Sequence, residues 1–285
     1  MKTAVTVFAY AAPSIETYAE ECVTSIAAQT DQDFDLVVFN NGLATLDTLI
    51  GKSGVVATVV AASGSPASIR RDGIQHLINL GFDAIIFADI DDWFDANRVA
   101  VAKQLLCEDV DILVNELVLF GAGLAKPMPM LGGRLSEGEI LSPELIQSGN
   151  CFGMSNTSVR VGAIPPSALI PADVVAFDWL FFGRLLDAGA RARFTAATRT
   201  HYRQHANNTA AVGDLSDAQI MRSLQIKYEH YLALGNRLAA GFADTSRRLV
   251  NNPALADRYF HIIRTTAPKQ PLWWESVKTL EELNL

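Results

Sequence analysis

The first hundred residues alternate short apolar runs with segments of helical periodicity, and this alternation restricts the fold more than any other feature. The apolar runs, rich in Val, Ile, Phe and Ala, occupy residues 3–10, 35–39, 55–62 and 83–88. Residues 15–28 and 69–80, which lie between them, have helical spacing. Strands that are apolar along their whole length have both faces covered, so the pattern predicts an α/β fold with a mostly parallel central sheet.

Three segments lie at the carboxyl ends of these strands. They are residues 9–13, the pair Asn40 and Asn41, and the sequence Asp-Ile-Asp-Asp at 89–92, which we call the acidic segment. In open parallel sheets, ligands bind beyond the carboxyl ends of the strands. The sequence therefore predicts that the three segments surround one crevice.

The acidic segment brings three carboxylates together directly after a buried strand. Like charges at close range resist ionising side by side, and a cation would relieve this cost. In an extended chain Asp89 and Asp91 point to the same side, so both can reach one ion or one ion-bound diphosphate. Oxygen ligands favour Mg²⁺ or Mn²⁺ over Zn²⁺. The alternative is structural: Asp92 or Asp95 caps a helix that begins near Ala96.

The second part of the chain is less regular. We predict strands at residues 112–120 and 152–161, a helix at 177–187, an extended stretch at 192–204 and helical structure from 215 to the end. This gives a catalytic domain at 1–212 and a helical C-terminal extension at 213–285. The apolar stripe of the extension has to be covered, either by the catalytic body or by a second subunit in a homo-oligomer.

Composition limits the partners and the compartment. The net charge of −8 gives no general attraction to nucleic acid, so we expect no nucleic-acid partner. Three widely spaced cysteines fit a reducing compartment, and no run reaches the ~18 apolar residues that span a bilayer. We therefore predict a cytoplasmic protein. Trp273 and Trp274, close to Lys269 and Lys278, leave open a peripheral contact with the inner face of the membrane.

The order of the motifs resembles the family 2 inverting glycosyltransferases of the GT-A fold, over residues 3–210. The motifs are the first strand ending near Tyr10 and Pro13, Ala-Gln-Thr at 28–30, the strand at 34–39, Arg-Arg-Asp-Gly at 70–73, the acidic segment with its DxD pattern, Phe-Asp-Trp at 177–179, and Tyr-Arg-Gln-His at 202–205. The resemblance implies a Rossmann-like nucleotide-diphospho-sugar transferase that moves a sugar from a nucleotide diphosphate to an acceptor hydroxyl. It implies a carbohydrate or lipid-linked acceptor, as in polysaccharide synthesis.

The resemblance also assigns roles to residues on the donor side. Ala9, Tyr10 and Asn41 would lie against the base, and Arg70 would help to hold the nucleotide. Asp89 and Asp91 would contact the ribose and a divalent metal, Mn²⁺ or Mg²⁺. Two positions depart from the family pattern: Asn41 stands where the family usually has an acid, and Arg71 where it commonly has asparagine. Asparagine still accepts a hydrogen bond through its carbonyl oxygen.

On the acceptor side, Asp178 matches the catalytic base of the family. Its position in the first turn of a helix predicts that the helix dipole keeps the carboxylate ionised, although a plain helix-start aspartate is the alternative. The resemblance places His205 beside the metal, together with Asp91. We expect His201, Arg203 and His205 to share one face of an extended strand, with Arg203 neutralising the charge of the leaving group. Trp93 and Trp179 either stack on sugars or pack in the core.

Two other functions use similar features. A nucleotidyltransferase also combines a doubly wound sheet with carboxylate-bound metal, but it carries a Gly-rich basic loop after the first strand, where this chain has Ala-Ala-Pro-Ser at 11–14. A catalytically silent nucleotide-sugar-binding protein of the same fold is compatible with Asn41. It would not need Asp91, Asp178 and His205 together.

Overall fold

A computed structural model describes residues 1–12, 14–106, 109–122, 124–171, 174–205, 215–268 and 271–285. The boundary between residues 212 and 213, together with Pro13, Cys107 and Lys269, lies outside these ranges.

The chain forms strands and helices whose order matches the predicted alternation. The strands are β1 Thr3–Tyr10, β2 Asp35–Asn41, β3 Ala57–Ala61, β4 Ala84–Asp89, β5 Trp93–Phe94, β6 Ile112–Gly121, β7 Met128–Pro129, β8 Ile140–Leu141, β9 Thr157–Arg160 and β10 Ala192–Gln204. The helices are α1 Ile15–Ala27, α2 Leu46–Ser53, α3 Pro66–Asn79, α4 Arg98–Leu105, α5 Phe177–Asp187, α6 Asp217–Leu234, α7 Leu238–Asn251 and α8 Pro253–Thr266. Short 3₁₀ turns lie at Val161–Ala163 and Pro166–Leu169.

One sheet runs through the body in the order β3-β2-β1-β4-β9-β6-β10-β5, with β7 beside β6 and β8 beside β10. Strands β3, β2, β1 and β4 pair in parallel, as do β6 and β10. Strand β9 is antiparallel to both β4 and β6. Strands β1, β2, β3, β4, β6 and β10 therefore share one direction, and their carboxyl ends lie at one edge of the sheet. This confirms the predicted α/β fold with a mostly parallel sheet.

Alternating side chains of the strands fill two separate cores, one on each face of the sheet. On β1, Phe8 belongs to the core covered by α3 and α5, whereas Val7 belongs to the core covered by α1, α2 and α4. Gly73 lets α3 approach the sheet closely, since a Cβ atom there would lie 2.9 Å from the Phe8 ring and 3.0 Å from the Phe39 ring. This close packing fixes the distance between α3 and the sheet, and with it the position of Arg70, which lies one turn before Gly73.

The C-terminal helices pack on the catalytic body, one of the two arrangements that their apolar stripe allowed. Helix α6 contacts α5, and its Lys227, only 2% exposed, donates to the carbonyl oxygens of Ser148 at 2.7 Å and Val277 at 2.8 Å. Tyr231 donates to the carbonyl oxygen of Gln147. Lys227 therefore links the helices, the body and the last segment of the chain.

The prediction of helix up to the last residue is wrong beyond Thr266. The described residues after α8 form turns and an isolated β-bridge between Trp273 and Asn150. Trp273 is 6% exposed, so its ring packs inside the protein and is not displayed for membrane contact. Among the residues that the structure describes, no helix combines the length and apolar character needed to cross a membrane.

Candidate functional site

A cleft of about 620 Å³ opens at the edge where the parallel strands end. Tyr10 at the end of β1, Asp89 at the end of β4 and His205 just after β10 all line it, together with Asp178 at the start of α5. The predicted crevice therefore exists. Its position follows from the shared strand direction, because that direction brings residues distant in sequence to one edge.

The acidic segment does not run extended. The chain turns at Ile90 and Asp91, and the Asp92 amide donates to the carbonyl oxygen of Asp89 at 3.3 Å. The expectation that alternation alone puts Asp89 and Asp91 on one side is therefore wrong, although both carboxylates line the cleft. Each aspartate of the segment instead has its own partner.

Asp89 pairs with Arg70, whose Nη2 lies 2.9 Å from Asp89 Oδ1. Burial raises the pKa of the Asp89 carboxyl, and the guanidinium of Arg70 opposes this shift. The Arg70 guanidinium also lies 6.0 Å from the ring centre of Tyr10. Burial raises the pKa of the Tyr10 phenol to about 12, so the hydroxyl stays protonated at neutral pH and can donate a hydrogen bond. These three residues form one wall of the cleft.

Asp91 pairs with His205, 114 positions later in the sequence, with Oδ2 and Nε2 separated by 2.9 Å. The imidazole of His205 stacks on Tyr18 of α1 with ring centres 5.6 Å apart. The contact is a hydrogen bond to the carboxylate, and an imidazole nitrogen and a carboxylate oxygen are also atom types that ligate divalent cations.

The alternative in which Asp92 or Asp95 caps a helix fails. Helix α4 begins at Arg98, and Asn97 occupies the position before it without a side-chain capping bond. Asp92 Oδ1 accepts from the backbone amide of Arg203 at 2.9 Å, and Asp95 Oδ1 lies 2.9 Å from His201 Nε2. Both carboxylates therefore hold the end of β10 against residues 92–95.

The guanidinium of Arg203 is turned toward the protein. It lies between the rings of Tyr18, at 4.3 Å, and Phe120, at 4.5 Å, and it contacts Glu21 and the carbonyl oxygen of Asp91. His201, Arg203 and His205 thus all contact residues 91–95, but Arg203 does not line the cleft. We interpret it as a residue that positions Asp91, and not as the partner of a leaving group.

Of the remaining residues predicted to contact the donor, one lines the cleft and two do not. Tyr10 lines the cleft, whereas Ala9 is fully buried in the core on the α1 side. Asn41 lies beside Tyr10 across the β1–β2 pair but outside the cleft lining. Its Nδ2 donates to the carbonyl oxygen of Ala62 at 3.0 Å. Because a carbonyl only accepts, this bond fixes the amide orientation and leaves Oδ1 as an acceptor.

Both tryptophans that were candidates for sugar stacking have protein partners. Trp93 stacks on His201 with ring centres 3.3 Å apart and does not line the cleft. Trp179 is 1% exposed and stacks on His230 at 3.9 Å. Both rings therefore pack against other side chains, the second of the two alternatives predicted for them.

Asp178 lies at the start of α5, in the wall of the cleft. Its Oδ1 accepts from the backbone amide of Trp179 at 2.8 Å. Burial raises the pKa of the Asp178 carboxyl to about 6, and the positive charge of Arg70 and this amide oppose the shift. The prediction from the helix start named only the dipole, whereas burial of the carboxyl is the largest effect on its pKa. At pH 7 a group with this pKa is still about 90% ionised and has the proton affinity that suits a general base.

The raised pKa of Asp178 predicts an acid limb in the pH dependence of any reaction that uses it as a base. Because the base must be deprotonated, kcat/KM should fall about ten-fold per pH unit below a midpoint near pH 6. Steady-state rates between pH 4.5 and 8.5 check this. A midpoint near pH 4, the usual value for an exposed aspartate, would show that Asp178 does not set the rate.

Several lining residues carried no local signal in the sequence. Arg98 does not line the cleft but lies behind the acidic segment, only 3% exposed, and its Nη2 donates to the carbonyl oxygen of Phe87 at 2.6 Å. Burial lowers the pKa of Arg98 to about 9, although Cys22, Asp92 and Asp89 oppose the shift. The cleft is also lined by residues from the start of α3, from the loop before β9 and from the C-terminal extension, namely Ser65, Pro66, Ala67, Gly153, Met154, Ser155, Arg222, Glu229, Trp273 and Trp274.

Comparison with solved structures defines the class of fold. S. aureus TarS 1-349 in complex with UDP-GlcNAc matches with a TM-score of 0.57 and 17% identity, over 80% of this chain and 66% of that one. The mannosyltransferase PcManGT from Pyrobaculum calidifontis, in complex with GDP-Man and Mn²⁺, gives 0.55 and 13% over 92% and 70%. GalNAc-T7 with UDP, GalNAc and Mn²⁺ gives 0.54 and 11% over 99% and 55%. The chain therefore has the GT-A fold, shared with these glycosyltransferases.

The likeness lies in the fold and not in close sequence similarity. No protein-family model matches the sequence, and no curated protein matches it. The chain spans about two thirds of the TarS fragment and little more than half of GalNAc-T7.

Proposed function

We propose that this chain is an inverting glycosyltransferase of family 2, which moves a sugar from a nucleotide-diphosphate donor to an acceptor hydroxyl. The observation that carries the proposal is the common cleft. Asp178, the Arg70–Asp89 pair and the Asp91–His205 pair all line it. The three neighbours of the same fold are complexes with UDP-GlcNAc, with GDP-Man and Mn²⁺, and with UDP, GalNAc and Mn²⁺.

The residues of the cleft can divide the work as follows. Tyr10 and Arg70 hold the nucleotide, and Asn41, next to Tyr10 across the β1–β2 pair, offers its Oδ1 as an acceptor for the base. Asp178 takes the proton from the acceptor hydroxyl while that oxygen attacks the anomeric carbon. The bond from this carbon to the diphosphate breaks on the opposite side, and the nucleoside diphosphate leaves. Attack and departure on opposite sides invert the anomeric centre.

Asp91 and His205 would hold a divalent cation, Mn²⁺ or Mg²⁺. Within the described ranges, no cluster of three or more His, Cys, Asp or Glu side chains could hold a metal ion alone. Two protein ligands suit a cation that is completed by substrate oxygens and water, as Mg²⁺ often is. Such a cation would supply positive charge for the departing diphosphate. The acceptor would be a carbohydrate or a lipid-linked saccharide.

A thermal-shift screen with and without Mn²⁺ tests the proposal. UDP-, GDP- and dTDP-sugars form one arm and nucleoside triphosphates the other. A ligand at about a hundred times its dissociation constant adds about 2.7 kcal/mol to the free energy of unfolding. We expect stabilisation by at least one nucleotide sugar, larger with Mn²⁺ present.

Each other outcome of the screen has a defined meaning. Stabilisation by triphosphates alone would favour a nucleotidyltransferase. No stabilisation by any nucleotide would remove the proposal. Binding of a donor without its hydrolysis or transfer, across an acceptor panel, would indicate a silent binding protein.

A further inference from the structure

The C-terminal extension contributes a second part of the cleft, which none of the sequence motifs covers. Arg222 and Glu229 of α6 line it, as do Trp273 and Trp274 of the last segment. The motifs end at His205, and all the donor-side residues belong to the part of the chain up to that residue. The residues of the extension that line the cleft are therefore available to a ligand other than the nucleotide.

The last segment is held firmly against the catalytic body. The backbones of Asn150 and Trp273 exchange two hydrogen bonds, of 2.9 and 3.1 Å. Arg134 forms an ion pair with Glu275, with Nη2 and Oε1 separated by 2.9 Å. Gly149 makes room for this contact, since a Cβ atom there would lie 2.7 Å from the Cβ atom of Glu275. The last segment is therefore fixed to the catalytic body by these contacts and forms part of the wall of the cleft.

The two adjacent tryptophans have different surroundings. Trp273 is buried, packs edge-on against Tyr202 with ring centres 5.5 Å apart, and approaches Gly153 so closely that a Cβ atom there would lie 2.8 Å from its ring. Trp274 is only partly buried and lines the cleft with a backbone φ of 69°. A left-handed backbone is unfavourable for a tryptophan, and such strain persists only where the surrounding structure fixes it. Trp273 anchors the segment, and Trp274 is presented to the cleft.

We propose that Trp274, together with Arg222 and Glu229, forms a subsite for a pyranose ring of the acceptor. This inference rests on the proposed function. The C–H groups on one face of a pyranose pack on an indole ring, and the equatorial hydroxyls need polar partners at the edge. Arg222 is exposed and forms no ion pair with any residue that the structure describes, and Glu229 is partly buried. Glu229 Oε1 accepts from Gln225 Nε2 at 2.8 Å, which leaves its second oxygen for a ligand. An aromatic ring, a cation and an anion that line the same cleft suit a sugar better than an acyl chain.

Ligand-observed saturation-transfer NMR tests the subsite with defined probes. The probes are the methyl pyranosides of glucose, galactose, mannose, N-acetylglucosamine and N-acetylgalactosamine, in the presence of UDP or GDP and Mg²⁺. We expect at least one probe to bind the wild-type protein and to bind Trp274→Gly about ten-fold more weakly or not at all. Glycine tolerates the left-handed backbone, so this variant should fold. Trp274→Phe, which keeps a smaller ring, should be intermediate.

Nucleotide binding serves as the internal reference, and Leu232→Ala serves as the matched surface control. Leu232 lies on α6 near Glu229, is 59% exposed and does not line the cleft. Both this variant and Trp274→Gly should keep the wild-type thermal shift with nucleotide. If the wild type binds no nucleotide, the proposed function and the subsite both fail. If it binds nucleotide but no pyranoside, or if Trp274→Gly binds pyranosides equally or loses nucleotide instead, the subsite alone is overturned.

Discussion

Asp178→Asn is expected to lose sugar transfer while it keeps donor binding. Loss of a general base lowers the rate by ~10²–10⁴, whereas loss of a helix-start aspartate would cost about 1 kcal/mol of stability and little turnover. Asparagine has nearly the same volume, and its Oδ1 can still accept from the Trp179 amide, 2.8 Å from Asp178 Oδ1 in the native chain. The Arg70–Asp89 pair remains in place to hold the nucleotide. Single-turnover transfer and calorimetry with donor, measured on the same preparation, separate the two effects.

Stability gives an independent check on the same variant. The folded-state pKa of Asp178, about 6, lies above the ordinary value of 3.8, so the free energy of unfolding falls as the pH rises from about 4 to 6, and the full cost of ionising this carboxyl is present above pH 6. Asp178→Asn should therefore be at least as stable as the wild type at pH 8. Asp187→Asn, at the exposed end of the same helix, is the matched control and should leave transfer unchanged. Transfer by Asp178→Asn near the wild-type rate would reduce Asp178 to a residue of the helix start.

Local patterns in the sequence were enough to predict most of the fold. Strand β1 and helix α5 begin and end at the predicted residues, because an apolar run and a helical repeat bounded by Gly189 are properties of neighbouring residues. Helix α2 was missed, and the predicted strand at 152–161 shortens to β9. The insertion of β9 between β4 and β6 depends on pairing between segments far apart in the chain, which periodicity does not encode.

In the candidate site, too, the sequence predicted individual residues but not most of the contacts that tertiary structure determines. Sequence motifs located Asp91, Asp178 and His205, which all line the cleft. The resemblance placed His205 together with Asp91, and the two side chains meet across 114 positions. The motifs did not reveal that the chain turns at Ile90. The direction of a long side chain is set by its tertiary partners, and for this reason Arg203 faces Glu21 of α1 rather than the cleft.

The expected effect of Asp91→Asn is the loss of metal-dependent nucleotide binding, with the fold intact. The carboxylate oxygen of Asp91 lies 2.9 Å from His205 Nε2, and asparagine can keep that hydrogen bond. It removes the negative charge, however, and an amide oxygen is a weaker ligand for a hard divalent cation. We expect the affinity for nucleotide in the presence of Mn²⁺ to fall roughly ten- to a hundred-fold. Calorimetric titration of UDP and GDP, with and without Mn²⁺, measures this directly.

Asp95→Asn is the matched control for this prediction. Asp95 also pairs with a histidine at 2.9 Å, in this case His201 of β10, but it does not line the cleft. This variant should keep the gain in affinity that Mn²⁺ gives the wild type. Without metal, Asp91→Asn should bind nucleotide as well as the wild type or better, because one negative charge facing the diphosphate is gone. Equal losses in both variants would assign Asp91 a structural role, and an undiminished Mn²⁺ effect in Asp91→Asn would place the cation elsewhere.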